Sequence, residues 1–304
     1  MAESFVGVKN ITASYRNAKS HEILHGISFT LNQGDHVVIY GAPGAGKSSL
    51  LKLLCNDLDI IAGSIDIDGK NSADHASIRS GYVSLDHEDF TSSYSIYDSL
   101  VAFGEQYDIP HLPARIDELL ELLEMKDKAN QKIQELSLTQ KISYALARAC
   151  LSSSPLLLLD DVLDVLGVEE TKRFLHIACA GKTVLLTTRV PQYAEQMNLP
   201  LLLLHHGAVA HTGIKDDIAI ASGVPRIINA WVEALRYDTL KKIRSHSGVL
   251  EVRILPTDRF QGNLIRVMTR NSRFIPSLYD LMSQSELVHV EEVPPTLTDI
   301  LRTI

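Results

Sequence analysis

Residues 41–48 read Gly-Ala-Pro-Gly-Ala-Gly-Lys-Ser, and the spacing G-x-x-x-x-G-K-S is that of a loop built to hold phosphate. Glycine lets successive backbone N–H groups turn inward and approach an anion with no Cβ in the way. A helix starting at the end of the loop directs its positive end at the same point. Lys47 supplies a point charge for β- and γ-phosphates, and the Ser48 hydroxyl supplies a hard oxygen for Mg²⁺. The predicted cradle is Gly41, Ala42, Pro43, Gly44, Ala45, Gly46, Lys47, Ser48 and Ser49, and its chemistry is capture of a nucleoside triphosphate. Far downstream, Leu156-Leu-Leu-Leu-Asp160-Asp161 ends an apolar run in two carboxylates. Asp160 is placed to hold the water shell of Mg²⁺. Asp161 stands where an acid can take a proton from an attacking water.

These groups need elements that carry them to one edge. His36–Tyr40 is a continuous apolar strand, and Ser48–Cys55 repeats Leu50, Leu51, Leu53 and Leu54 on a helical period. Leu156–Asp160 and Thr183–Thr187 read as buried strands, with the helix Glu169–Ala178 between them. Strand, glycine loop and helix, then strand–helix–strand, predict a parallel α/β core with its ligand at the C-terminal ends of the strands. Phe5–Lys9, Ile11–Tyr15 and Ile27–Leu31 alternate as strands do, with turns at Arg16–Ser20 and Asn32–Asp35. Gly63–Gly69 is a short alternating strand. The pattern is helical from Ser95 to Met125 and again over Gln140–Leu151.

Past about residue 218 the texture becomes more polar. It predicts helix Tyr237–Ser245, strands Val249–Leu255 and Asn263–Thr269, helix Ile275–Gln284 and strand Leu287–Val293. Ala219–Leu235 fits a linker, a helix or a first strand. The expected division is 1–218 and 219–304, the second a small two-layer α+β module.

Composition narrows the class. With 29 Lys+Arg against 37 Asp+Glu the net charge is −8, which argues against a nucleic-acid partner. No window approaches the ~18 apolar residues of a membrane span, and Pro155–Leu159 and Leu199–Leu204 are strand-length. Met1–Phe5 lacks the blocks of a signal peptide. Cys55, Cys150 and Cys179 have no metal-like spacing and read as small buried hydrophobes in a reducing compartment. His205-His206 with His211 reads as a polar turn between two strands rather than a metal site.

Further pieces, in order, make residues 5–218 resemble the ATP-binding cassette (ABC) ATPases, the motors of ABC transporters. Tyr15 precedes the cradle where that family stacks an aromatic on adenine. Gly63-Ser-Ile-Asp-Ile-Asp-Gly69 is similar to its G-x-I-x-I-x-G strand. Leu136-Ser-Leu-Thr-Gln140 with Ala145-Leu-Ala-Arg-Ala149 is similar to its L-S-G-G-Q signature and following helix. The resemblance implies a P-loop α/β core with an antiparallel β subdomain and a helical subdomain at about 88–150. It implies ATP and Mg²⁺ held between two such subunits, with Ser137 and Gln140 facing the partner's nucleotide. S-x-x-Q is also a capping box that starts a helix with no ligand, and both roles can hold.

The departures cluster in the hydrolytic parts. Leu138 and Thr139 replace the signature glycines. Leu85, which cannot ligate or hydrogen-bond through its side chain, replaces the family's Mg²⁺-sensing Gln, and the neighbouring Asp86 and His87 are not expected to stand in for it. Asp161 replaces Glu, and Arg189 replaces the switch His that contacts γ-phosphate. Asp164-Val-Leu-Gly167 ends in Gly where the family has Asp. Proton abstraction needs an approach of about 2.6–3.2 Å, and a misplacement of roughly 1 Å can cost about 100-fold. The expectation is a subunit kept for binding ATP more than for splitting it, beside a better-equipped ABC partner. The connector Tyr94–Leu100 and the tail pattern Pro295, Leu297, Asp299 resemble cassettes of exporters. Separate transmembrane permease subunits would then hold the chain at the cytoplasmic, inner face of a membrane. A soluble ATP-dependent regulator acting through protein partners is the competing class. A GTPase is disfavoured, since no N-K-x-D appears.

Overall fold

The computed structural model describes residues 4–16, 21–71, 81–85, 90–152, 154–179, 181–234, 236–256, 262–270, 272–283 and 286–304. Asp86 and His87 therefore lie outside the described residues. So do residues 1–3 of the N-terminus and 17–20 of the first turn. The chain divides into two compact units, Met1–Ile214 and Lys215–Ile304.

In the first unit, β1 (Val6–Tyr15), β2 (Glu22–Leu31), β4 (Leu58–Ile67) and β5 (Lys70–Asn71) form an antiparallel sheet in the order β2-β1-β4-β5. The two strands expected at 5–15 are one strand bent by a bulge. Pairing with β4 slips between Lys9 and Thr12, and Asn10 sits at φ 47. Gly63 lies opposite that bulge at φ 89, where a Cβ would stand 2.4 Å from the Asn10 carbonyl oxygen. Only glycine fits there, and it lies inside a strand that begins at Leu58 rather than at Gly63.

The second sheet has the order β10-β9-β3-β8-β7-β6. It contains β3 (His36–Gly41), β6 (Tyr82–Val83), β7 (Leu156–Leu159), β8 (Thr183–Thr187), β9 (Leu201–His205) and β10 (Ala208–Gly213). All neighbours are parallel except the β9–β10 hairpin, which turns at His206 and Gly207 as expected. Leu156–Leu159 and Thr183–Thr187 are buried at every position, the pattern of strands covered on both faces. α1 (Lys47–Leu54) packs Leu50, Leu51, Leu53 and Leu54 into one cluster with residues of both sheets. At about 1.5–3 kcal/mol for each large apolar side chain, this burial holds the cradle's two flanking elements together. α2 (Ile96–Gln106), α3 (Leu112–Leu122) and α4 (Leu138–Leu151) follow, then α5 (Val162–Leu166), α6 (Val168–Ala178) and α7 (Pro191–Met197).

The second unit holds α8 (Lys215–Ala221), β11 (Arg226–Val232), α9 (Tyr237–Ser245), β12 (Val249–Leu255), β13 (Asn263–Thr269), α10 (Ile275–Met282), β14 (Leu287–Val293) and α11 (Leu297–Leu301). Its sheet order β12-β13-β11-β14, all antiparallel, makes β11–β14 a split βαβ arrangement of ferredoxin-like form. Ile228, Ala230 and Val232 of β11 meet Ile243 of α9 and Leu278 and Met282 of α10 in its core. The undecided stretch 219–235 thus closes a helix and supplies a central strand. Among the described residues no helix is long and apolar enough to cross a membrane.

Candidate functional site

Three strand ends meet at one edge of the parallel sheet. Ile39 of β3 lies opposite Thr187 of β8, and Leu186 of β8 lies opposite Leu159 of β7. Gly41, Thr187 and Asp160 therefore leave the C-terminal ends of three neighbouring strands, β3, β8 and β7. That is where open α/β sheets bind ligands.

The cradle turns at Gly46, whose φ of 101 lies in the left-handed region, and α1 starts there. Ala45 N–H donates to the Ala42 carbonyl at 3.0 Å, and Leu50 N–H to Gly46 at 2.8 Å. The β9–β10 turn braces the loop from behind. Gly207 N–H donates to the Ala45 carbonyl at 3.1 Å, and the Gly207 carbonyl accepts from His25 N–H at 2.8 Å. Lys47 is buried, and its ammonium donates to the carbonyls of Gly41 at 2.9 Å and Ala42 at 3.2 Å. An ammonium has three donors, so one remains for an anion. Burial holds the Lys47 pKa below the ordinary lysine value, opposed chiefly by the negative charge of Asp161.

Ser48 Oγ donates to Asp160 Oδ1 at 3.0 Å across 112 residues of sequence. Thr187 Oγ1 donates to the same oxygen at 2.8 Å, and the Tyr82 hydroxyl donates to Asp160 Oδ2 at 3.0 Å. A serine hydroxyl beside a carboxylate is the hard-oxygen pair that Mg²⁺ accepts while keeping its remaining waters. Asp161 sits at φ 54 with its N–H on Thr187 Oγ1 at 2.8 Å. Its Oδ1 lies 3.1 Å from Thr187 Oγ1, while Oδ2 accepts Arg189 Nε at 2.7 Å and a second guanidinium N–H. Asp164 fixes the turn that carries Arg189, accepting Arg189 N–H at 3.0 Å and the Thr188 hydroxyl.

Tyr15, Ile23, Pro43, Gly44, Gly46, Lys47, Ser48, Ser49, Asp161 and Arg189 line one cleft of about 440 Å³. The expected nucleotide-contacting residues are thus brought together, with Gly41, Ala42 and Ala45 in the same loop and Asp160 joined through Ser48. Tyr15 is half-exposed at the end of β1, and its hydroxyl lies 3.2 Å from Ser49 Oγ. Ser137 and Gln140 do not line this cleft. They meet each other as the capping box of α4, with Ser137 N–H on Gln140 Oε1 at 2.9 Å and Gln140 N–H on Ser137 Oγ at 3.4 Å. Ser137→Ala is expected to destabilise the chain by about 1 kcal/mol in thermal or urea unfolding, whatever its effect on a partner. An unchanged stability would mean the box contributes nothing.

Tyr82, Thr187, Asp164 and Gly207 were not expected at the site. For Thr187 the signal was available: a polar residue closes an otherwise apolar strand parallel to the one that ends in Asp160. Tyr82 carried no such signal, since its burial and its partner are set by β6 lying beside β7.

A family profile described as ABC transporter matches residues 24–164. The methionine import ATP-binding protein MetN of Francisella tularensis subsp. holarctica is 30% identical over 243 residues, covering 75% of this chain and 69% of that protein. The Nod factor export ATP-binding protein I of Burkholderia pseudomallei is 30% identical over 215 residues, covering 68% and 67%. Among solved structures, an ATP-binding subunit of an ABC transporter has a TM-score of 0.63 at 23% identity, over 72% of this chain and 94% of that one. A bacterial Atm1-family ABC exporter with ATP bound has a TM-score of 0.62 at 23% identity, over 74% and 41%. Those two likenesses, at 23% identity, speak to fold, and the two relatives at 30% identity speak to descent. Phosphate cradle, sheet order and relatives agree: the chain belongs to the ABC transporter family, as an ATP-binding subunit.

Proposed function

We propose that this subunit grips ATP·Mg²⁺ at an interface with a second ABC subunit, hydrolyses it slowly or not at all by itself, and couples to separate transmembrane permease subunits. The observation that carries the reading is the pairing of Asp161 with Arg189 beside a complete phosphate cradle. In hydrolysis, water attacks the γ-phosphorus, the bond to the β–γ bridging oxygen breaks, and a base takes the water's proton. Asp161 is the acid at that position. Its Oδ2 already accepts two N–H groups from a guanidinium that never loses its proton, and its Oδ1 lies against Thr187. A carboxylate so engaged, and one methylene shorter than glutamate, is poorly placed to reach an attacking water.

Within the cradle, Lys47 and the loop N–H groups hold the phosphates, and Tyr15 stacks on the base. Ser48 and Asp160 hold Mg²⁺, whose contribution when bound is neutralisation of charge on the phosphate oxygens. Ser137, Gln140 and the start of α4 cap the partner's nucleotide, with the exposed Leu138 at that surface in place of glycine. The exporter reading rests on the Tyr94–Leu100 connector and the Pro295, Leu297, Asp299 tail. The relatives' own names include import and export. The assembly places the chain on the cytoplasmic face of a membrane through its permease. Affinity isolation of the chain from native membranes tests this. A permease and a second ABC subunit should accompany it, and recovery with neither would overturn the assembly.

A further inference from the structure

β6 is two residues long, and its Tyr82 is only 2% exposed. Its neighbour on the sheet is β7, with Tyr82 opposite Leu158 and Val83 opposite Leu159, so the strand runs beside the one that delivers Asp160. The Asp160 carboxylate is divided between two sets of donors. Oδ1 accepts Ser48 at 3.0 Å and Thr187 at 2.8 Å, and Oδ2 accepts the Tyr82 hydroxyl at 3.0 Å. An ionised carboxylate can only accept, so the Tyr82 hydroxyl is the donor of this bond.

A carboxylate turns easily about its last torsion, where the wells are broad. With Oδ2 fixed, the turn is blocked and Oδ1 stays beside the Ser48 hydroxyl. We propose that Tyr82 is the positioning residue of Asp160: it sets the rotation of the carboxylate so that Oδ1 and Ser48 Oγ present a preformed pair of oxygens to the Mg²⁺ of bound ATP. This rests on the reading of the cradle under Proposed function. It also gives the β6 segment a link to the metal carboxylate. The side chain of Leu85, two residues past β6, has no donor or acceptor, and the link passes through Tyr82 instead.

Tyr82→Phe removes one hydroxyl and keeps the ring in the core. ATP binding to the full chain is measured by calorimetry, once with Mg²⁺ and once with EDTA. The affinity with Mg²⁺ is expected to fall by roughly 10-fold, the scale of losing a group that orients a metal ligand. Affinity in EDTA should not change. An unchanged Mg²⁺ affinity, or an equal loss in both conditions, would overturn the proposal. Tyr82→Leu, which also lacks the hydroxyl, should show the same Mg²⁺-dependent loss, and it decides the matter if Tyr82→Phe does not fold. Wild-type chain that binds no ATP would sink the reading of the cradle itself. Wild-type chain with Mg²⁺-dependent binding that Tyr82→Phe retains in full would sink the role of Tyr82 alone.

Discussion

Changing Asp161 to Glu and Arg189 to His together is expected to raise ATP turnover on the order of 100-fold, while either change alone gains little. Asp161→Glu alone adds the missing methylene but leaves the carboxylate against a guanidinium that cannot give up its proton. Arg189→His alone frees the carboxylate but leaves it short. The side chains differ in setting, since Asp161 is 20% exposed and Arg189 69% exposed. The carboxylate is therefore the fixed member, and the arginine the one that reaches in. Asp164 adds to this by holding the backbone N–H of Arg189, which aims the guanidinium back across the strand ends. Phosphate release by wild type, both single variants and the double variant gives the coupling directly. If the gains of the single variants multiply to the gain of the double, the two residues act separately and their pairing does not limit turnover.

The second large effect concerns binding. Lys47→Ala is expected to weaken ATP affinity by about 1.5–3 kcal/mol, roughly 10- to 150-fold, the scale of a hydrogen bond to a charged group. The loop carbonyls of Gly41 and Ala42 lose their shared donor. Ala42 is exposed, so water can replace the donor there, while the buried Gly41 carbonyl is left without it, and a modest fall in melting temperature should accompany the loss of affinity. Calorimetric titration with ATP, alongside thermal unfolding, separates the two effects. An affinity unchanged by the substitution would mean that the backbone N–H groups and the start of α1 hold the phosphates unaided.

The parts of this molecule that were legible in the sequence are those written in consecutive residues. The cradle at 41–49 is one contiguous motif, the Leu156–Leu159 strand announces itself by its apolar run, and the Ser137/Gln140 box lies within one helical turn. The parts that were not legible depend on which strand ends lie together. Arg189 and Asp161 are 28 residues apart, and each alone reads as a substitution in a familiar position. Their pairing exists because β7 and β8 are neighbours in register. Tyr82 reaches Asp160 for the same reason, through β6 beside β7. Elsewhere the local signal was ambiguous. Arg226–Val232 is buried along nearly its whole length, and a short apolar run without alternation cannot be told from a buried helix. Leu58–Ala62 lacks alternation too, which hid the first half of β4 ahead of Gly63. At Asn10 the backbone keeps one strand going through a bulge that breaks the period-2 pattern.

The central claim, an intact grip with little hydrolysis, is tested most directly by identifying the nucleotide that stays on the protein. Purified chain is incubated at length with excess Mg²⁺ and ATP, separated rapidly from free nucleotide, and denatured for chromatography of what it held. The expected result is bound ATP, close to one per chain, with little free phosphate in the incubation. Bound ADP together with stoichiometric or greater phosphate release would contradict it.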